Sequence, residues 1–186
     1  MDTRKMAKSL TITSAAVAIF IALLGVIGYL PGMLLLGRVR GDYIPMAPST
    51  ALCFIVLGSI LLATQAKKFS SFKKIFLGLV FLVSLFGLLT LLEYFLGKEL
   101  NFEHLVIPNL GELDRIPIGV MSPSTGALFF LSGIVIFYYV LRPTFPNRIE
   151  HLDIFRSTLS IIILFGSFNF CLSYLYGSPF LYNLGD

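Results

Sequence analysis

Five long apolar stretches, separated by short charged segments, dominate the pattern of this chain. They run over about 10–36, 48–64, 75–96, 123–141 and 158–176. Within each stretch the apolar residues are continuous rather than alternating. A bilayer core of about 30 Å takes about 20 apolar residues as a helix, whereas barrel strands would show alternating segments of about ten. Lipid offers the backbone no hydrogen-bond partners, so continuous spans must be helices that satisfy their own N–H and C=O groups. The pattern therefore predicts an all-α, polytopic transmembrane helix bundle with five spans. The first stretch holds Pro31 and Gly32, which predict a kink or an end there.

Two short phrases punctuate these stretches and make an internal repeat. Tyr-x-x-Gly closes an apolar run at 29–32, 94–97 and 174–177, while Met-x-Pro-Ser-Thr opens one at 46–50 and 121–125. Residues 46–58 and 121–133 align without a gap at an offset of 75, with six identities in thirteen: Met46/Met121, Pro48/Pro123, Ser49/Ser124, Thr50/Thr125, Phe54/Phe129 and Gly58/Gly133. Apolar bias does not supply Pro, Ser and Thr in register. Pro at a helix start costs little, because its missing N–H would be unpaired there anyway, and Ser or Thr beside it can cap the free N–H groups. Tyr suits the membrane interface, and Gly ends a helix.

One unit is then a helix, Tyr-x-x-Gly, an outer loop, Met-x-Pro-Ser-Thr and a returning helix. The units cover about 10–66, about 73–142, and half a unit at about 155–186. Two spans per unit give successive units one orientation, so these are parallel repeats. Three complete units would form a six-helix bundle with pseudo-threefold symmetry. Met46 follows Gly32 by 14 positions and Met121 follows Gly97 by 24, but only nine residues follow Gly177. A sixth span beyond a truncated end is the expectation.

Composition and charge agree with this picture. Hydrophobic residues make up 56% of the 186 and charged residues 13%, about half the share in a soluble domain. Arg4, Lys5 and Lys8 precede the first span. Lys67, Lys68, Lys73 and Lys74 lie between the second and third, and Arg142, Arg148 and Arg156 between the fourth and fifth. Glu99, Glu103, Glu112 and Asp114 crowd the segment between the third and fourth, while Arg38 and Arg40 after the first span run against the trend. The positive-inside rule then puts the N-terminus in the cytoplasm and residues 177–186 outside. The first apolar stretch is longer than a signal-peptide h-region, which favours an uncleaved anchor. The net charge of +4 sits beside spans, so the lipid bilayer is its partner rather than nucleic acid.

Candidate chemistry is sparse. Glu93 is the one carboxylate inside a span, and intramembrane ionisable residues mark function; its equivalents in the other units are Gly28 and Ser173. Ser49, Thr50, Ser124 and Thr125 sit at two helix N-termini whose positive dipole ends suit an anion or a carbonyl. With Tyr94 and Glu93 they form the candidate ligand-binding set. Asn169 in the fifth span is read as bonding a neighbouring helix, and Cys53 and Cys171 as buried small hydrophobes. His104 and His151 have no partner at metal-ligand spacing. No nucleophile–base pair, phosphate loop or metal motif is present, so neither catalysis nor a cofactor is expected within this segment.

The segments YIPMAPSTALCFIVLGSILL (43–62), LLTLLEYFLG (88–97) and MSPSTGALFFLSG (121–133) resemble the N-terminal multi-span membrane region of bacterial PAS, histidine kinase and diguanylate cyclase signalling proteins. The resemblance covers nearly the whole chain, with Gly126 standing where the first copy has Ala51. It implies a six-span sensory input domain in the bacterial inner membrane. A cytoplasmic output module in the same full-length chain would receive the signal, and a homodimer stays open. The alternative is a small transporter or channel-like bundle, which would need polar residues along a midplane path. A purely structural membrane bundle would need only packing.

Overall fold

The computed structural model describes residues 3–30, 33, 37, 45–66, 69–97, 112–113, 116–117, 119–141 and 150–176. Five helices occur among them: α1 (Thr3–Ile27), α2 (Pro48–Thr64), α3 (Phe69–Leu96), α4 (Pro123–Leu141) and α5 (Glu150–Leu175). Between α3 and α4, a two-residue antiparallel ladder pairs Glu112 with Pro117 and Leu113 with Ile116. Four of the helices, α1, α3, α4 and α5, are long and apolar enough to cross a membrane. The fifth, α2, is equally apolar but has 17 residues. At 1.5 Å per residue it is about 25 Å long, the lower limit for a core of about 30 Å.

The outward faces of these helices are apolar. Phe20 on α1 is 62% exposed, Leu82 on α3 59% and Leu164 on α5 67%. Apolar area left in water costs about 25 cal/mol per Å², so faces of this kind belong in lipid. The chain is accordingly a helical membrane protein.

The helix limits correct several sequence expectations. The first helix ends at Ile27 rather than continuing to 36, and single turns carry the chain through Leu30 by way of the Leu30 N–H to Ile27 carbonyl bond at 2.9 Å. The third begins at Phe69 and the fifth at Glu150, so Lys73, Lys74 and Arg156 lie within helices. The Tyr of Tyr-x-x-Gly therefore stands differently to its helix end in the first two copies. Tyr29 follows α1, whereas Tyr94 lies in the last turn of α3 and Gly97 closes it with φ of 58°. That left-handed conformation carries a steric cost for any residue with a Cβ and none for glycine. Gly32 and Gly177 lie outside the described residues, as do Arg38, Arg40, Tyr43, Lys67, Lys68, His104, Arg142 and Arg148.

The chain divides into two compact units, Met1–Phe76 with Leu100–Met121, and Leu77–Glu99 with Ser122–Asp186. These do not coincide with the sequence repeats, because the break falls inside α3.

In the first unit α1 and α2 form an antiparallel hairpin with a seam of small residues. Ala15, Ala22 and Gly25 of α1 are buried, as are Gly28 just beyond it and Ala51 and Gly58 of α2. A Cβ at Gly58 would stand 2.8 Å from Cγ1 of Ile19 and 3.3 Å from the Ala15 carbonyl oxygen. Small residues let helix backbones approach closely, the main source of helix association where lipid removes the hydrophobic drive.

In the second unit α3 and α4 pack antiparallel in the same manner. A Cβ at Gly87 would lie 2.5 Å from the Gly126 carbonyl oxygen and 2.9 Å from the Phe130 nitrogen. A Cβ at Gly133 would collide with the Ser84 hydroxyl. Helix α5 joins this pair through Gly166, where a Cβ would meet Leu128 of α4 at 3.0 Å.

Candidate functional site

The two Met-x-Pro-Ser-Thr phrases open their helices in different ways. Pro48 begins α2, and the capping position before it is Ala47, which provides no side-chain cap. Pro123 begins α4, and the position before it is Ser122. Its hydroxyl accepts the Thr125 N–H at 3.3 Å and pairs with the Thr125 hydroxyl at 2.8 Å. A side-chain cap at a helix start is worth about 1 kcal/mol. The expectation that the Ser-Thr pair does the capping is thus corrected: at α4 the cap comes from Ser122, one residue before the Pro. Ser49 and Thr50 are buried at the start of α2, whereas Ser124 and Thr125 are half-buried at the start of α4.

In the first unit the two phrases meet directly. The Tyr29 hydroxyl donates to the Met46 carbonyl oxygen at 3.0 Å, and the Met46 N–H bonds the Gly37 carbonyl at 3.0 Å. The same methionine lies over Gly25, where a Cβ would stand 3.1 Å from its sulfur. Tyr29 is therefore a strap across the looped end of the hairpin.

Glu93 and Tyr94 occupy the last turn of α3 in the second unit. Thr90 lies against Gly126, so the antiparallel register brings the turn after Thr90 level with the opening turn of α4. Glu93 is half-buried, and Tyr94 is exposed with its ring edge-on to Phe95 at 5.7 Å between centroids. Of the six candidate residues, Glu93, Tyr94, Ser124 and Thr125 share this unit, while Ser49 and Thr50 belong to the other.

Two further expectations are corrected. The Asn169 side-chain amide donates to the Phe165 carbonyl at 3.0 Å, one turn back in its own helix, rather than to another helix among the described residues. Cys53 is buried as expected, but Cys171 is exposed. Ser84 and Thr90 follow Asn169 in bonding inward, to the carbonyls of Val80 at 2.9 Å and Phe86 at 3.1 Å. A hydroxyl satisfied within its own helix adds no polar surface to a path between helices.

The feature that the sequence did not disclose is a cavity of about 420 Å³ in the second unit, between α3, α4 and α5. Its walls are Phe81, Leu85 and Leu88 from α3, Ile134 from α4, and Phe155 and Leu159 from α5. The volume lies in the range of small-molecule sites, about 300–1,000 Å³. Three polar residues interrupt the apolar lining, Ser84 of α3, Tyr138 of α4 and Arg156 of α5. The Ser84 hydroxyl is already spent on the Val80 carbonyl, which leaves Tyr138 and Arg156 as the two donors. The Tyr138 hydroxyl oxygen is buried with no hydrogen-bond partner among the described residues. Such a group costs about 1–3 kcal/mol while unpaired. Arg156 approaches Asp153, one turn earlier, at 3.8 Å, with 27% of its side chain exposed. An ion pair that long and that accessible contributes little and leaves guanidinium N–H groups available. No sequence signal points here, because the lining residues are the Leu, Ile and Phe of any span.

Fold and site together define a polytopic α-helical membrane protein with an apolar cavity bordered by two donors. Comparison with protein-family models, curated proteins and solved structures finds no match.

Proposed function

We propose that the chain is the membrane-embedded sensory input domain of a bacterial signal-transduction protein, held in the inner membrane with its N-terminus in the cytoplasm. A ligand or a property of the bilayer biases the packing of α5 against α3 and α4, and the change passes through the returning last span to a cytoplasmic output module of the full-length protein. The observation that carries this reading is the cavity itself. It is lined by the N-terminal half of α5 together with α3 and α4, so an occupant acts on the α4–α5 contact directly. Packed helices respond to such biases by shifts of about 1–2 Å.

The parallel-repeat architecture belongs to the same proposal, and the packing supports it. Adding 65 to a position in α1, the offset of Tyr29 to Tyr94, turns Ala15, Ala22 and Gly25 into Val80, Gly87 and Thr90, and all six are buried. The contact of Ile19 with Gly58 becomes that of Ser84 with Gly133, each offset taken from the sequence phrases. The offset of Tyr29 to Tyr174, which is 145, maps Ala15, Ile19 and Ala22 onto Ser160, Leu164 and Ser167 of α5. All three are exposed. A returning sixth helix of the α2 and α4 kind would cover them. Transport is less well supported, because the Ser84, Thr90 and Asn169 groups all bond within their own helices.

The test is the full gene product. An in-frame sixth span followed by a cytoplasmic kinase or cyclase whose output changes with stimulus supports the input role. A natural stop directly after Asp186 overturns it. Glu93→Gln in that product asks whether the acid takes part: an altered response makes it a ligand or relay group, and an unchanged one makes it an interfacial residue.

A further inference from the structure

We propose that the cavity between α3, α4 and α5 holds an acyl chain of an anionic phospholipid, with the headgroup at Arg156 and Tyr138. This names the ligand of the site on which the proposed input function rests.

Shape and lining come first. The cavity is lined by apolar side chains from all three helices, which suits a hydrocarbon chain. The two polar residues then set the head chemistry. Leu128 lies against Gly166 in the antiparallel α4–α5 pair, and the same register brings Tyr138 level with Arg156. The guanidinium can only donate and the phenol can donate as well, so an acceptor suits both, and the charge of the guanidinium makes an anion the favoured one. A phospholipid supplies this arrangement in one molecule: phosphate oxygens for the guanidinium, an ester oxygen for the buried phenol, and a chain for the groove.

Position agrees with chemistry. The donors lie toward the C-terminal end of α4 and the N-terminal end of α5, the membrane side where the sequence places Arg142, Arg148 and Arg156. Basic residues gather on the cytoplasmic side, whose leaflet carries anionic lipid. Asp153 stands 3.8 Å from Arg156 and at that distance does not saturate the guanidinium fork. A neutral zwitterionic lipid would fill the groove equally well but would place its own cation beside Arg156.

The experiment uses the purified full chain in bilayer discs of phosphatidylcholine. The discs are doped either with phosphatidylglycerol carrying a photoreactive acyl chain or with the matched phosphatidylcholine probe. The proposal predicts that phosphatidylglycerol labels the cavity walls at 134–141 and 152–159 in preference to the lipid-facing surface of α5 at 161–168. Arg156→Gln reduces this preference for phosphatidylglycerol about fivefold, the worth of one basic residue at a membrane surface. Tyr138→Phe reduces cavity labelling by both probes roughly two- to tenfold, the worth of one hydrogen bond, because the ester oxygen is common to the two lipids. Leu85→Trp fills the groove, abolishes cavity labelling by either probe and leaves labelling of 161–168 intact. That variant guards against loss of signal through misfolding of the arginine variant. Equal labelling by the two probes, or labelling spread evenly over α5, overturns the proposal. Specific labelling without any change in the α4–α5 distance leaves the lipid site standing and removes the input function.

Discussion

Gly87→Ala is the sharpest small perturbation that the structure offers. The added methyl would stand 2.5 Å from the Gly126 carbonyl oxygen and 2.9 Å from the Phe130 nitrogen, against an ordinary contact limit of 3.4 Å. Both obstacles are backbone atoms of α4, so no rotamer change relieves them. Helices α3 and α4 must part by about 0.9 Å at this point, the shortfall from that limit. A gap of 0.5–1 Å forfeits a quarter to a half of the dispersion energy of the atoms lining it, and overpacking of a close seam costs about 1–3 kcal/mol. Alanine also improves helix propensity by about 1 kcal/mol over glycine, which offsets part of the loss. Gly78→Ala on the same helix isolates that second effect, because a Cβ there meets nothing within 4 Å. Unfolding free energy of the two variants in the same micelles is the assay. Gly78→Ala is expected to match or exceed the wild type, and Gly87→Ala to fall below Gly78→Ala by about 2 kcal/mol, a value within the overpacking range. Equal stability of the two variants would refute a close α3–α4 seam at Gly87.

The companion seam in the first unit should behave differently. Gly58→Ala collides first with the Ile19 side chain, at 2.8 Å, so Ile19→Ala in the same molecule is expected to recover much of the loss. A double-mutant cycle would show this as a coupling of about 0.5–3 kcal/mol, and strict additivity would contradict the contact. Tyr29→Phe removes the 3.0 Å bond to the Met46 carbonyl. Helix-bundle stability should drop by about 0.6–1.5 kcal/mol, read from the same unfolding assay, and no change would mean that the strap contributes nothing.

The membrane-spanning helices and their small-residue seams were legible in the sequence to different depths. Continuous apolar runs predicted every helix, because a span must satisfy its own backbone. The ends were less legible. The first helix stops at Ile27, a few residues before the Pro31-Gly32 pair that marked a kink or an end, while the apolar run itself continues to 36. Gly58 and Gly133 stood out as a repeated pair, and both prove to be contact points. Their partners Ile19 and Ser84 share no chemistry, so the matching half of each seam was hidden. Of the candidate site, the phrases at the helix starts were visible, but the roles were reassigned. Ser122 caps α4, and the strap from Tyr29 to Met46 depends on a chain reversal that no local pattern encodes. The cavity was invisible for a simpler reason: Phe81, Leu85 and Leu159 have the same composition as the lipid-facing surface, and only packing separates one from the other.

The central claim is that occupancy of the cavity sets the position of α5 against α4. Spin labels at Tyr139→Cys on α4 and Ile154→Cys on α5, both exposed positions, report this distance by pulsed electron resonance once the exposed Cys171 is replaced by Ser. The account predicts a shift of about 1–2 Å between bilayers of phosphatidylcholine alone and bilayers containing phosphatidylglycerol, and loss of that shift in Leu85→Trp. Superimposable distance distributions in the two bilayers, for a protein shown by photolabelling to hold the lipid, would contradict it.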